Sequence, residues 1–286
     1  MKIFKKIISL TLALVLCVSL CIPAFAEGDG KKINYLVLGD SIAYGYGLLN
    51  KRNAAYGRIV ADTNGYNYTN ASFDGGETTA TLLGEVTKYE YIREYIKEAD
   101  IISISIGGND FLRGDMAQLI EEANKGDYSR FDSIAEEFYK NFCTIIKIVK
   151  EINPDAVILM QTLYNPGADS IKAVYQQGAD RLNAGYRKYL ADNPKAYELL
   201  EVADAFVGHP EYVAADYIHP SAQGNVVIAG IVLNKLNALK LTDKTEPVVK
   251  HEGIDQTEFL SLKFVKYLFR KLITIVKDYI GQLLAK

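Results

Sequence analysis

A serine hydroxyl attacks a carbonyl only when a base can take its proton, so the histidines of this chain and the serines they could serve are weighed first. There are three histidines. His251 lies in a polar stretch, and His209, between Gly208 and Pro210, has a loop setting. His219 belongs to Asp216-Tyr217-Ile218-His219-Pro220, where a carboxylate three residues upstream can accept from the far ring nitrogen, fix the tautomer and stabilise the imidazolium. A serine suited to such a base stands in Gly39-Asp40-Ser41, followed by Ile42-Ala43-Tyr44-Gly45-Tyr46-Gly47. Gly107-Gly108-Asn109-Asp110 supplies an amide that can donate to a developing oxyanion with no change of protonation. Each segment also has a plainer reading: a helix cap at Ser41, a turn residue at Asn109, a capped helix entry around Asp216. A phosphate-binding turn after Gly39 is disfavoured, because neither a Lys-Ser/Thr pair nor a full dinucleotide fingerprint follows.

For these three segments to meet, the chain must bring three loops to one rim. From Lys32 to Lys240 short apolar runs alternate with longer amphipathic ones, the pattern of a parallel sheet covered by helices on both faces. Strands are predicted at Ile33 to Leu38, Tyr66 to Asn70, Ile101 to Ile106, Ala156 to Gln161 and Ala196 to Val202. Helices are predicted at Ala54 to Thr63, Thr78 to Lys97 with a break, Phe131 to Ile152, Ser170 to Asp192 and Ser221 to Lys240. The fold expected is a flavodoxin-like three-layer α/β/α sandwich with a central parallel five-stranded sheet, of order 2-1-3-4-5. In that order the first and third strands are neighbours at the switch point, where open α/β sheets bind ligands. Ser41, Asn109 and His219 would then share the carboxyl-end rim.

Gly39-Asp40-Ser41, Gly108-Asn109-Asp110 and Asp216-x-x-His219-Pro220, in this order, resemble the conserved blocks of the SGNH (GDSL) hydrolases over residues 33 to about 240. The resemblance implies Ser41 as nucleophile, His219 as general base and acid, and Asp216 as its orienting partner. It also implies an oxyanion hole made by the Ser41 amide, Asn109 and a glycine of the block running from Asn70 to Thr78. Spacing from Asn70 points to Gly75, whereas the Gly-x-Thr pattern points to Gly76. Ester hydrolysis through an acyl-enzyme follows from the family, with no metal and no organic cofactor; the sequence has no His-Glu-x-x-His and no cysteine pair suited to zinc. Asp40, Tyr44 and Tyr46 beside the nucleophile, with Tyr164 and Tyr217 on other rim loops, are the expected substrate contacts, an aromatic lining on which acyl chains or sugars could pack. The absence of Trp argues mildly against a dedicated sugar platform. The reading is a lipase- or lysophospholipase-like esterase acting on small-molecule or lipid esters. A carbohydrate O-acetylesterase with the same site and a secreted binding module without catalysis are the alternatives.

The rest of the chain sets the context. With 286 residues, 49% hydrophobic and 23% charged, it is globular, and disorder, collagen and a multispan membrane protein are disfavoured. Lys2, Lys5 and Lys6, an apolar run from Ile7 to Ile22 and Ala24-Phe25-Ala26 make residues 1–26 a secretory signal peptide, cleaved after Ala26. An uncleaved anchor is the alternative, and Val18-Ser19-Leu20 before Cys21 fits lipoprotein processing badly. The exported chain would keep only Cys143, packed as a small apolar group. Residues 27–240 form the catalytic domain and carry 21 basic against 29 acidic residues, so no nucleic-acid partner is expected. Residues 241–257 are polar and read as a linker. Residues 258–286 form a basic amphipathic helix, with Lys263, Lys266, Arg270, Thr274 and Lys277 on one stripe and Leu262, Val265, Phe269, Leu272, Val276, Tyr279 and Leu283 opposite. It lacks the ~20 uncharged residues of a span, and it suits a membrane surface, the catalytic body or another chain.

Overall fold

The computed structural model describes residues 32–166, 172–255 and 262–284. The expected signal peptide with its cleavage site lies outside the described residues, as do residues 256–261, where the expected linker gives way to the tail helix.

Strand β1 (Asn34–Gly39) runs directly into a one-turn helix, α1 (Ser41–Tyr44), followed by α2 (Lys51–Ala54) and α3 (Tyr56–Asn64). The left-handed Gly65 ends α3, and β2 (Asn67–Asn70) returns parallel to β1. The long amphipathic stretch breaks at Tyr89 into α4 (Thr79–Lys88) and α5 (Glu90–Glu98), the first opened by a reciprocal capping box between Thr78 and Thr81. Then come β3 (Ile101–Ser105), α6 (Gly108–Leu112), α7 (Met116–Asn124), α8 (Ser129–Ile152) and β4 (Val157–Gln161). The body closes with α9 (Lys172–Asp192), β5 (Glu198–Leu200), α10 (Val202–Phe206) and α11 (Ala222–Ala238), and α12 (Leu262–Leu284) ends the described chain.

All five strands pair in parallel in the order β2-β1-β3-β4-β5, so the expected switch point lies between β1 and β3. Strand alternation sorts the core into two layers. Leu36, Leu38, Ile102, Ile104, Ile158 and Met160 pack against α4, α5, α8 and α9. Tyr35, Val37, Ile101 and Leu159 pack against α3 and α11 on the other face. Each fully buried Leu or Ile contributes about 1.5–3 kcal/mol, and with both faces covered the strands need no polar side. Ser103 and Ser105 are the polar intrusions in β3, and the Ser103 hydroxyl lies 3.3 Å from the buried Tyr56 hydroxyl.

Three expectations need correction. β5 is shorter than Ala196 to Val202, because Ala196 still bonds back to Asn193 and Val202 already begins α10. α7 was not expected; only Leu119 of its residues is buried, so its apolar pattern is thin. The third correction is larger: the expected linker is a strap bound to the body. Tyr66 donates to the Leu241 carbonyl at 3.1 Å, Val248 N–H donates to Thr63 Oγ1 at 2.9 Å, and Leu49 N–H donates to the Ile254 carbonyl at 2.8 Å. Ile254 is buried and Asp255 bridges to Leu48. Its bonds are made mainly by backbone atoms, which composition does not reveal. Cys143 is half-buried in α8.

Candidate active site

β1 ends at Gly39 with φ +118°, and a Cβ there would fall 1.9 Å from the Ser105 carbonyl oxygen on β3. Only glycine lets the two strands close at the switch point. The chain then turns sharply, and Asp40 N–H donates to that same Ser105 carbonyl at 2.9 Å. Asp40, not Ser41, caps α1: its Oδ1 accepts from Ile42 N–H at 3.1 Å and from the Ser105 hydroxyl at 3.2 Å. This overturns the helix-cap reading of Ser41 and leaves its hydroxyl available. It also places Asp40, expected as a substrate contact, at 2% exposure with that oxygen occupied inside the turn. Burial pushes the Asp40 carboxyl up to about 7, against the lowering effect of those hydrogen bonds and of His219.

The Ser41 Oγ lies 2.8 Å from His219 Nε2, and His219 Nδ1 lies 2.7 Å from Asp216 Oδ2. The other Asp216 oxygen accepts from the backbone N–H groups of Ile218 and His219, both at 3.0 Å. Burial alone would raise the Asp216 carboxyl, but the His219 ring and these two backbone donors outweigh it and hold it below the usual carboxylate value. The loop closes on itself through Ala214 N–H to the His219 carbonyl at 2.8 Å, with Tyr217 in the left-handed region at φ +57°. The Tyr46 ring packs beside the imidazole, with centroids 4.6 Å apart and planes tilted by 47°, and Lys51 Nζ lies 4.1 Å from the Tyr46 ring centroid.

Asn109, on α6, lines the same recess as Ser41, together with Asp40, Ile42, Gly108 and Tyr164. Its Nδ2 donates to the Glu77 carbonyl at 2.9 Å, which fixes the amide orientation and uses one of its two hydrogens. Gly75 and Gly76 do not line this recess; their loop is held by Arg113, whose guanidinium donates to the Gly75 carbonyl. Tyr164 is buried and its hydroxyl donates to the Ile218 carbonyl at 2.6 Å, so the ring borders the recess while its polar end tethers the His219 loop. Tyr44 is half-buried, with Lys51 Nζ 5.6 Å from its ring, and it does not border the recess. Tyr217 is 63% exposed and lines a neighbouring groove of mixed character, which shares Leu163 with the recess and carries Asn165, Gln176, Asp180 and Arg187 beside Phe206 and Val213.

Tyr175, Leu112, Leu163 and Ile218 also line the recess and were not singled out from the sequence. Tyr175, Leu163 and Gly108 continue into a narrow apolar seam lined by Phe111, Met116 and Leu119. The signal for Tyr175 was present: Tyr175, Gly178, Ala179, Leu182 and Tyr186 recur at helical spacing, but that pattern reads equally as core. Among the described residues no group of three or more His, Cys, Asp or Glu could hold a metal ion.

Residues 37–227 match the GDSL-like lipase/acylhydrolase family. The chain belongs to that family. Among curated proteins, an uncharacterised Bacillus subtilis protein, YpmR, is 28% identical over 184 residues, which cover 58% of this chain and 67% of the relative. Of solved structures, a lipase from a goat rumen metagenome aligns at TM-score 0.55 and 24% identity, covering 70% of this chain and 96% of that one. The extracellular lipase of Streptomyces rimosus aligns at TM-score 0.56 and 20% identity, covering 71% and 99%. Phospholipase A1 from Streptomyces albidoflavus NA297 aligns at TM-score 0.54 and 20% identity, covering 73% and 99%. These identities carry the fold. This GDSL-family protein thus has the SGNH-hydrolase α/β architecture, in a family of generally ester-hydrolysing enzymes.

Proposed function

We propose that this protein is a secreted serine esterase that hydrolyses carboxylic esters, lipase- or lysophospholipase-like, through an acyl-enzyme on Ser41. The observation that carries the reading is the continuous Ser41–His219–Asp216 contact chain, 2.8 Å and then 2.7 Å. Ser41 Oγ attacks the ester carbonyl as its proton passes to His219 Nε2, and Asp216 stabilises the resulting imidazolium. The tetrahedral oxyanion takes hydrogen bonds from the Ser41 amide and the free hydrogen of Asn109 Nδ2. Collapse expels the alcohol, which leaves with the proton from His219. Water then attacks the acyl-enzyme with His219 again as base, giving the acid and restoring Ser41.

The apolar side chains adjoining the recess, Phe111, Met116 and Leu119 among them, favour an aliphatic acyl group. The groove that carries Asn165, Asp180, Arg187 and Tyr217 beside Phe206 and Val213 favours a second reading, a carbohydrate O-acetylesterase with the sugar in that groove. A fluorophosphonate probe should label the wild type and not Ser41→Ala; an unlabelled wild type would falsify the enzyme reading and leave the binding module. Acyl-length preference among p-nitrophenyl esters, set against release of acetate from acetylated xylan, separates the two esterase readings. Export is tested by N-terminal sequencing of protein from culture medium, expected to begin at Glu27.

A further inference from the structure

α12 is a 23-residue helix whose described apolar side chains are all exposed. Phe269 is 65% exposed, Tyr279 63% and Ile275 62%, with Val265, Leu272 and Val276 close behind. At 100° per residue, the exposed apolar positions from Ile275 round to Ile273 fill about half the circumference. That arc is wider than the two-in-seven seam by which a helix pairs with a second copy. Yet the helix cannot dive through a bilayer, since no described helix is long and apolar enough to cross one. The charge pattern selects the occupant. Between Leu262 and Leu284 there are five basic residues, Lys263, Lys266, Arg270, Lys271 and Lys277, and one acid, Asp278, whereas residues 27–240 carry an excess of acid. A cationic, half-apolar helix on an acidic body matches an anionic lipid surface.

The strap pins the chain that leads to this helix at a point near the reaction site. Its last described residue, Asp255, bridges to Leu48, and Leu49 N–H bonds to the Ile254 carbonyl. Leu48 follows Gly47, where a Cβ would lie 3.0 Å from the Cβ of His219. From Asp255 to Leu262 a fully extended chain spans at most about 25 Å. The start of α12 is therefore confined to the neighbourhood of the catalytic rim.

We propose that α12 lies in the plane of an anionic bilayer and, through the strap, holds the Ser41–His219 rim against that surface. The binding stands on the helix alone, and its coupling to catalysis rests on the esterase reading. The test uses the full chain, with vesicles of phosphatidylglycerol and phosphatidylcholine in equal parts and with pure phosphatidylcholine. Wild type should sediment with the anionic vesicles and release as salt rises. Phe269→Glu with Leu272→Glu, and separately Lys266→Glu with Lys277→Glu, should each weaken binding by roughly tenfold or more while hydrolysis of a soluble p-nitrophenyl ester stays unchanged. Equal binding by wild type and both variants overturns the proposal. So does a stable dimer of the wild type that Phe269→Glu with Leu272→Glu dissociates while vesicle binding persists. Vesicle binding that depends on these residues, without hydrolysis of any ester, supports the anchor and sinks only the esterase reading.

Discussion

The two sides of the recess are held in different ways. On the acid–base side, Ser41, Asp216 and His219 are fixed by backbone groups of the sheet ends and of their own loop: Ser105 grips the Asp40 turn, and Ile218 and His219 N–H groups grip Asp216. On the oxyanion side the loops are fixed chiefly by one another. Asn109 donates to the Glu77 carbonyl, Asp110 accepts from Thr79 N–H at 3.0 Å, and Arg113 holds the Gly75 carbonyl. The first arrangement fixes atoms relative to the sheet. The second fixes two loops as a unit, so a substitution there should disturb transition-state contacts before it disturbs the triad.

The largest effect that comparison allows is loss of the nucleophile. Ser41→Ala should lower kcat by about 10⁴ or more with little change in thermal stability, measured on a p-nitrophenyl ester. Retained turnover in the purified variant would remove Ser41 from the mechanism. On the other side, Asn109→Ala should lower kcat by roughly 10²–10³ with KM nearly constant, as expected for a donor used mainly in the transition state. A rise in KM at constant kcat would instead make Asn109 a substrate-binding group, and the two sides would differ less than the bonding pattern implies.

Much of the acid–base side was legible because it is written in local motifs. Asp216 and His219 are three residues apart, and Ser41 follows an apolar run that can only be a buried strand, so strand order alone brings them together. The strand order in turn followed from five apolar runs separated by amphipathic ones. What was not legible depends on directions that residue types do not encode. Tyr164 borders the recess as expected of a rim aromatic, but that its hydroxyl donates to the Ile218 carbonyl was not legible. Asp40 was read as a substrate contact, but its carboxylate turns inward to cap α1. The strap was read as a spacer because residues 242–253 are largely polar and none of them is buried; the buried Ile254 follows them alone. The oxyanion glycine stayed ambiguous for the same reason: residue type does not reveal that Gly76 has φ +77° and packs against Arg113 while Gly75 stands in open space.

The Tyr164 tether gives a smaller test on the acid–base side. Tyr164→Phe keeps the ring but leaves the Ile218 carbonyl without its donor, a loss of about 1–3 kcal/mol. Thermal unfolding should register the loss, and kcat should fall modestly as the His219 loop loosens. An unchanged melting temperature with unchanged kcat would mean that the loop is held by the Asp216 contacts alone.

The smallest effect is expected beneath the oxyanion loop, where two carboxyl groups are buried together. Glu77 and Glu85 are each 8% exposed, and Glu85 Oε2 has no hydrogen-bond partner. Burial, reinforced by the neighbouring Glu77, raises the Glu85 carboxyl from its ordinary value to about 8. A carboxyl with a folded-state value above its unfolded value binds its proton more tightly in the folded chain. Its contribution is therefore complete below the ordinary carboxyl range, at acid pH, and is lost as pH rises toward about 8. Glu85→Gln preserves a neutral group of the same shape at every pH. The melting temperature of the variant should match wild type near pH 4 and exceed it near pH 8, because only wild type must then place a second negative charge beside Glu77. A difference independent of pH would show that the two carboxyls do not share this environment, and the oxyanion loop would then owe its position to Asn109, Asp110 and Arg113 without help from a protonated Glu85.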